Sequence, residues 1–231
     1  MSAVLILRAE PGASATAVRA AAYGLTPIVA PLFTLRAVRW DAPAPTNFDA
    51  VLFTSANAAR LGGGRLSDFA QLPAYCVGET TAEAARTAGF DKVRIGPSDG
   101  AATVALMATD GIARALHLCG RDHIALDHPR IAIDRRVVYA ADASLGLSAP
   151  AIAALGKGAL VLLHSPRAAS LFAGLADEAG VARSHIRLAA ISAATAQAAG
   201  AGWAQKAIAT APRDEALLEL AAGLCKTGDD Q

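Results

Sequence analysis

The feature that most constrains this chain is an internal duplication. VLFTSANAAR from Val51 is echoed by VLLHSPRAAS from Val161, YCVGETTAEAA from Tyr75 by AAISAATAQAA from Ala189, and KVRIGPSDGAATVALM from Lys92 by KAIATAPRDEALLELA from Lys206. The three units recur in the same order. Each is a short apolar run, a turn of small polar residues and an alanine-rich stretch of helical character. The duplication reaches the start of the chain, where AVLILRAEPG from Ala3 resembles ALHLCGRDH from Ala115, and PIVAPLF from Pro27 resembles RVVYAAD from Arg136. Two copies of one α/β unit imply two similar lobes, and a cleft between lobes is a common place for a small ligand.

Strand-like and helix-like runs alternate throughout. That pattern predicts parallel sheets covered by helices on both faces, with ligands held at the carboxyl ends of the strands. VLIL at Val4 reads as a buried strand, followed by a helix capped by Ser14 and running to about Ala22. Pro27 and Pro31 forbid a long helix in the next stretch, and Pro43 and Pro45 make DAPAPTN an extended linker. TTAEAARTAG is a helix ended by Gly89. The tail KTGDDQ from Lys226 is expected to be disordered.

Composition narrows the partners. The formal net charge of +1 argues against a general nucleic-acid binder, which needs a basic surface to offset phosphates. It leaves room for an anionic small ligand held by backbone N–H groups and a few arginines. The cysteines Cys76, Cys119 and Cys225 form no CxxC pair, which fits a reduced, cytoplasmic protein. Met1 leads directly into AVLIL, with no basic stretch or cleavage site of a signal peptide. No apolar run reaches the roughly 20 residues of a membrane span.

The turns after the strands carry the candidate binding groups. Thr54, Ser55, Ala56 and Asn57 end a strand and open a helix, where free N–H groups and the helix dipole favour anions. Ser165 is the counterpart of Ser55, with Pro166 in the first turn and Arg167 available to pair with a carboxylate. Gly78, Glu79, Thr80 and Thr81 form the next turn, matched by Ser192, Ala193, Ala194 and Thr195. Each hydroxyl is also a natural helix cap. Asp122, His123, Asp127 and His128 are metal-ligand types, but with Pro129 they read as a solvated loop rather than a metal site. His117 and His164 read as packing or strand-end residues. Gly62, Gly63 and Gly64 lack the Lys-Ser/Thr of a phosphate loop, and no GxSxG elbow or Cys-His pair is present.

In order, FTSANAAR, VGETTAEAA, HSPRAAS, ISAATAQAAGAG and TAPRDEALLELA resemble the uroporphyrinogen-III synthases, over nearly the whole chain. The resemblance implies an α/β fold of two similar parallel-sheet lobes, the second inserted into the first and joined to it by a two-stranded linker. Lobe one would comprise 1–36 and 141–231, lobe two 41–136, and the linker strands 37–40 and 137–140. It implies a monomeric lyase that closes hydroxymethylbilane, a linear tetrapyrrole, into uroporphyrinogen III, with inversion of ring D and loss of water. Metal, cofactor, nucleic acid and membrane have no part in it. The substrate's acetate and propionate carboxylates suit the anion-binding turns at Thr54–Asn57, Gly78–Thr81, Ser165, Arg167, Ser192 and Ala194. Thr195 falls in a family motif that commonly has two adjacent threonines and is expected to face the cleft; here the first of the pair is Ala194. Tyr139, in VVYAAD, resembles the family's VY phrase at the lobe junction, where it would either act as general acid toward the departing hydroxyl or pack as a linker tyrosine on a neighbouring strand.

Two other readings share some of these features. A non-catalytic two-lobed binding protein for a small anion would show the same duplicated lobes. A nucleotide-dependent enzyme is disfavoured by the missing glycine fingerprint and acidic ribose partner.

Overall fold

Ala50–Phe53 shows why this chain needs three layers. All four residues are buried, yet successive strand side chains point to opposite faces. Val51 and Phe53 enter one apolar core, Ala50 and Leu52 another. A strand apolar at every position must therefore be covered on both sides. The computed structural model describes residues 2–228, and Ala50–Phe53 is its strand β4.

The chain divides into two compact units. One comprises the segment up to Thr34 together with Asp142 onward; the other is Leu35–Ala141. In the first, β1 (Ala3–Ile6), β2 (Thr26–Val29), β9 (Leu160–Leu163), β10 (Arg187–Ala190) and β11 (Gln205–Ile208) form a sheet in the order β11-β10-β9-β1-β2. Every neighbouring pair in it is parallel. The second sheet takes β3 (Phe33–Ala37), β5 (Ala74–Cys76), β6 (Val93–Ile95), β7 (Arg114–Gly120) and β8 (Ala132–Ala143) with β4, in the order β3-β8-β7-β4-β5-β6. From β8 to β6 its pairs are also parallel.

The sequence repeat accounts for both orders. β9, β10 and β11 are the later copies of β4, β5 and β6, and β1 and β2 are the counterparts of β7 and β8. Writing each strand as its counterpart turns β11-β10-β9-β1-β2 into β6-β5-β4-β7-β8. The two sheets thus share one doubly wound order, with the chain running through it from a different starting strand.

Residues 37–40 and 137–140 lie in the second unit. The Val38 N–H donates to the Val138 carbonyl at 2.8 Å, Val138 is fully buried, and the Trp40 indole N–H donates to the Gly62 carbonyl at 2.9 Å.

Helices cover both faces. On one face of the first sheet, α1 (Gly12–Ala22) and α8 (Asp214–Gly228) bury Ala13, Ala20, Leu217 and Ala221 against Val4, Ile6, Leu160 and Leu162. In the second unit, α2 (Ala56–Leu61) and α3 (Glu79–Thr87) pack on the Val51 and Phe53 face, and α4 (Gly100–Thr109) sets Val104 and Met107 on the other. α6 (Pro166–Glu178) and α7 (Ala193–Ala198) follow β9 and β10.

Two local expectations are corrected, and one helix is added. Ser14 does not cap α1, which begins at Gly12; its N–H and hydroxyl instead donate to the Glu10 carboxylate at 2.9 and 2.8 Å. A further helix, α5 (Ala149–Gly156), has its cap in Ser148 and a proline, Pro150, in its first turn. Lys226–Gly228, expected to be disordered, continue α8, and the rest of that tail lies outside the described residues. Among the described residues no helix is long and apolar enough to cross a membrane.

Candidate active site

In the second sheet the chain leaves β4 toward β5 and β6 on one side, while β7 and β8 lie on the other. Helix α2 then follows on one face, and the segment after β7 places Leu126 on the opposite face. Connections that part in this way open a crevice at the strands' carboxyl ends. A cavity of about 460 Å³ lies there, within the range of small-ligand pockets. Thr54 and Ser55 line it after β4, Val77 after β5, Ser98 to Ala101 after β6, Gly120 at the end of β7, Asp122, His123, Ile124 and Leu126 after β7, and Tyr139 from β8.

Tyr139 owes its position to a register irregularity. Cys119 pairs with Val137, but Gly120 pairs with Tyr139, so β8 gains one residue at this point. The Tyr139 ring fills the space where Gly120 has no side chain: a Cβ there would meet Tyr139 Cζ at 2.6 Å and its hydroxyl at 2.8 Å. The Arg121 N–H donates to the Tyr139 carbonyl at 3.0 Å and clamps the loop to the strand.

The polar lining is mixed. Ser55 accepts the Asn57 N–H at 3.2 Å and caps α2, whose first residue, Ala56, is buried. Asp99 accepts the Ala102 N–H at 2.8 Å and caps α4. The Thr54 hydroxyl meets His117 Nε2 at 3.0 Å, and His123 Nδ1 lies 2.9 Å from the Gly120 carbonyl. Burial pushes the thiols of Cys76 and Cys119 up to about 12 and about 11, which removes them as nucleophiles at neutral pH. Among the described residues no three His, Cys, Asp or Glu side chains come together as a metal site requires.

Of the residues singled out in the sequence, this cavity gathers Thr54, Ser55 and Tyr139. Asn57 contributes to the capped turn beside it. Gly78, Glu79, Thr80 and Thr81 form the neighbouring turn but do not line it. Gly78 takes the left-handed conformation (φ +81°), Glu79 pairs with Arg86 at 2.8 Å, and Thr81 is buried. Its counterpart Thr195 is fully buried, with its hydroxyl 3.0 Å from that of Ser192 and its N–H donating to Ser192 at 3.3 Å. Thr195, expected to face the cleft, is buried, as is Thr81, the equivalent third residue of its helix, and only Ala193 and Ala194 are exposed in the later turn. Ser165 caps α6 by accepting the Ala168 N–H at 3.2 Å, and the Arg167 guanidinium lies 4.4 Å from the centre of the Phe33 ring.

Asp99, Asp122 and His123 were not singled out as ligand groups. Their signal was present in the repeat, since GPSDG and GRDH both follow strands. Asp122 and His123 are solvent-exposed, as a polar loop should be, but they line the cavity as well.

The capping role gives a test. Ser55→Ala, Ser165→Ala and Ser192→Ala should each lose about 1 kcal/mol of stability, or roughly 2–4 °C in melting temperature. Each should retain measurable turnover, because the backbone N–H groups of the turn remain. A folded variant with no detectable turnover would make that side chain essential.

Fold and pocket define a class: a duplicated, doubly wound α/β protein with a small-ligand site at the strand ends. Comparison with known proteins narrows it. The sequence model of the family described as "Uroporphyrinogen-III synthase HemD" matches residues 14–219. The chain belongs to the uroporphyrinogen-III synthase family. Its fold is similar to that of the uroporphyrinogen-III synthetase from Helicobacter pylori 26695, at 18% identity and a TM-score of 0.65, with 97% of this chain and 100% of that one covered. It is also similar to a mutant uroporphyrinogen III synthase from the extremely thermophilic bacterium Thermus thermophilus, at 15% identity and a TM-score of 0.52, with 100% of both chains covered. Among curated proteins none matches. Family membership makes this an enzyme of heme biosynthesis that acts on a small tetrapyrrole.

Proposed function

We propose that the chain closes hydroxymethylbilane into uroporphyrinogen III, inverting ring D and releasing water. It does so as a monomeric cytoplasmic lyase without metal or cofactor. The single observation that carries this reading is the match to the synthase family over residues 14–219.

The chemistry of the cavity supports it. Val77, Ile124 and Leu126 offer apolar surface to pyrrole faces, Asp99 and Asp122 offer acceptors to pyrrole N–H groups, and Thr54 and Ser55 offer hydroxyls to carboxylates. At about 460 Å³ the cavity suits part of a tetrapyrrole rather than the whole. Within the second unit the turn led by Gly78 offers backbone N–H groups to carboxylates; within the first, the turns led by Ser165 and Ser192 offer the same, and Arg167 offers a positive charge.

The reaction asks little covalent work of the protein. The substrate's C–O bond breaks, the hydroxyl leaves with a proton as water, and the electron-rich pyrrole supplies the electrons. The resulting azafulvene is attacked by the substituted carbon of ring D. The spiro intermediate opens, recloses with ring D inverted, and loses a proton. Positioning governs which carbon attacks, and one well-placed acid assists departure. Tyr139 is that acid: its phenol is a donor on the cavity wall, fixed by the Gly120 register. Thr195, which is buried, supports its turn through Ser192.

Purified protein given hydroxymethylbilane should yield the type III isomer above the spontaneous background. Type I alone, at the spontaneous rate, would overturn the assignment in favour of a binding protein. Tyr139→Phe should slow turnover by roughly tenfold, and by no more than about 10²-fold, with little change in KM. Product should stay type III because ring orientation depends on the many remaining contacts. An unchanged rate would leave Tyr139 as a packing residue.

A further inference from the structure

His117 stands behind the cavity wall and has no part in the chemistry above. It sits in the middle of β7 and is fully buried. Its Nε2 lies 3.0 Å from the Thr54 hydroxyl, while its buried Nδ1 has no hydrogen-bond partner among the described residues. The His123 ring meets it edge-on, with centroids 6.0 Å apart, and Arg135 is its register partner on β8. Burial first, then His123 and Arg135, push its pKa down to about 4, so the imidazole is neutral at physiological pH.

A neutral imidazole carries one N–H, and its position decides what Thr54 can do. With the proton on Nδ1, a buried N–H would have no acceptor, and Thr54 would spend its own proton on Nε2. With the proton on Nε2, the N–H donates to Thr54, and the atom left unpaired is an acceptor. Orphaned buried N–H groups are rarer than under-satisfied acceptors. The second arrangement also frees the Thr54 hydroxyl proton, and Thr54 lines the cavity.

We infer that His117 is a positioning residue. Held as the Nε2–H tautomer, it fixes Thr54 as a hydrogen-bond donor toward the cavity, so that this wall selects acceptor groups such as carboxylates. An unconstrained hydroxyl would serve donors and acceptors alike. The carboxylate as occupant rests on the proposed function; the tautomer does not.

The ¹⁵N spectrum of the ligand-free, histidine-labelled protein tests the tautomer without substrate. The chain has five histidines, and the His117 signals are assigned by their loss in His117→Gln. A protonated Nε2 and a bare Nδ1 are expected; a protonated Nδ1 would overturn the inference whatever the protein catalyses. Kinetics test the consequence. His117→Phe and Thr54→Val should each raise KM for hydroxymethylbilane by about tenfold, the lower end for a hydrogen bond to a charged group, with a smaller change in kcat. The double variant should be no worse than Thr54→Val, and His117→Gln, whose amide N–H can donate in the same place, should recover most of the loss. Additive rises in KM would assign His117 a packing role and overturn the coupling.

Discussion

Asp214→Asn is expected to lower the melting temperature by roughly 5–15 °C, the largest stability loss of any single polar substitution proposed for this chain. Asp214 opens α8 and sits near the first sheet's own switch point, between β1 and β9. Its carboxylate receives hydrogen bonds from Thr16 at 3.0 and 3.1 Å and from Arg19 Nε at 2.8 Å, and it meets His164 Nε2 at 2.8 Å and Arg8 at 3.5 Å. The site thus ties α1, the ends of β1 and β9, and α8 together. The Asp214 and His164 side chains are only 10% and 6% exposed, so the partners cannot simply turn to water. Arg8 and Arg19 are 35% and 39% exposed, which reduces their share. Losing one partner of a buried ionic group costs about 3–5 kcal/mol, and the half-open arginines bring the expectation to about 2–4 kcal/mol, at roughly 2–4 °C each for a chain of this size. Asparagine keeps the shape, so the loss reports charge.

The same site fixes a pH dependence. Burial raises the Asp214 pKa, but hydrogen bonds from His164 and Arg19, with help from Thr16, overcome that and hold it well below the usual carboxylate range. A depressed folded-state pKa means that the unfolded chain takes up the proton first as pH falls. The stability contributed by Asp214 is therefore complete above about pH 5 and is lost progressively as pH drops through about 4 and below. Calorimetry from pH 7 to pH 3 should show a steeper decline in the wild type than in Asp214→Asn. Parallel curves would show that the carboxylate is not the source of the acid sensitivity.

The fold was largely legible because the repeat carries topology. Val51, Tyr75 and Lys92 head units that recur at Val161, Ala189 and Lys206, and equivalent strands occupy equivalent places in both sheets. The alternation of cores along Ala50–Phe53 is likewise a property of the sequence. What escaped depended on groups distant along the chain or on the direction of a side chain. Thr81 and Thr195 stand in turns that look open to ligand, yet the third position of each helix is buried. Tyr139 is named in the sequence only through the family resemblance; its place on the cavity wall depends on the register slip beside Gly120, which the sequence does not show. His117 looks like a packing residue in ALHLCG; only the pairing of β4 with β7 brings it to Thr54, 63 positions away. His164 and Asp214, 50 positions apart, meet for the same reason. Helix α5 belongs to none of the repeated units, although Ser148 and Pro150 mark its start.

Gly120→Val should reduce turnover by at least about 10²-fold while leaving the protein folded. Gly120 is buried at the end of β7, next to the fully buried Leu118 and Cys119, so the strand has no room to retreat. Even a Cβ there would stand 2.6 Å from Tyr139 Cζ, 2.8 Å from its hydroxyl and 3.0 Å from Cε1. These are the far atoms of the ring, and they border a cavity. The clash is relieved by swinging Tyr139 away, and the added methyl groups occupy the place it leaves. Overpacking costs about 1–3 kcal/mol in a closed core, and beside an open cavity the lower end is expected, a loss of only a few degrees. Function suffers more, since misplacing a reacting group by about 1 Å can cost 10²-fold. Comparison with Tyr139→Phe separates two effects, because phenylalanine keeps the ring on the wall and removes only the hydroxyl, whereas Gly120→Val moves both. Adding Tyr139→Ala to Gly120→Val should restore part of the lost melting temperature by removing the clash, and should restore no turnover. Near-wild-type turnover in folded Gly120→Val would remove both Tyr139 and this cavity wall from the reaction. A double variant no more stable than Gly120→Val would show that the strain lies in the β7 backbone rather than against the ring.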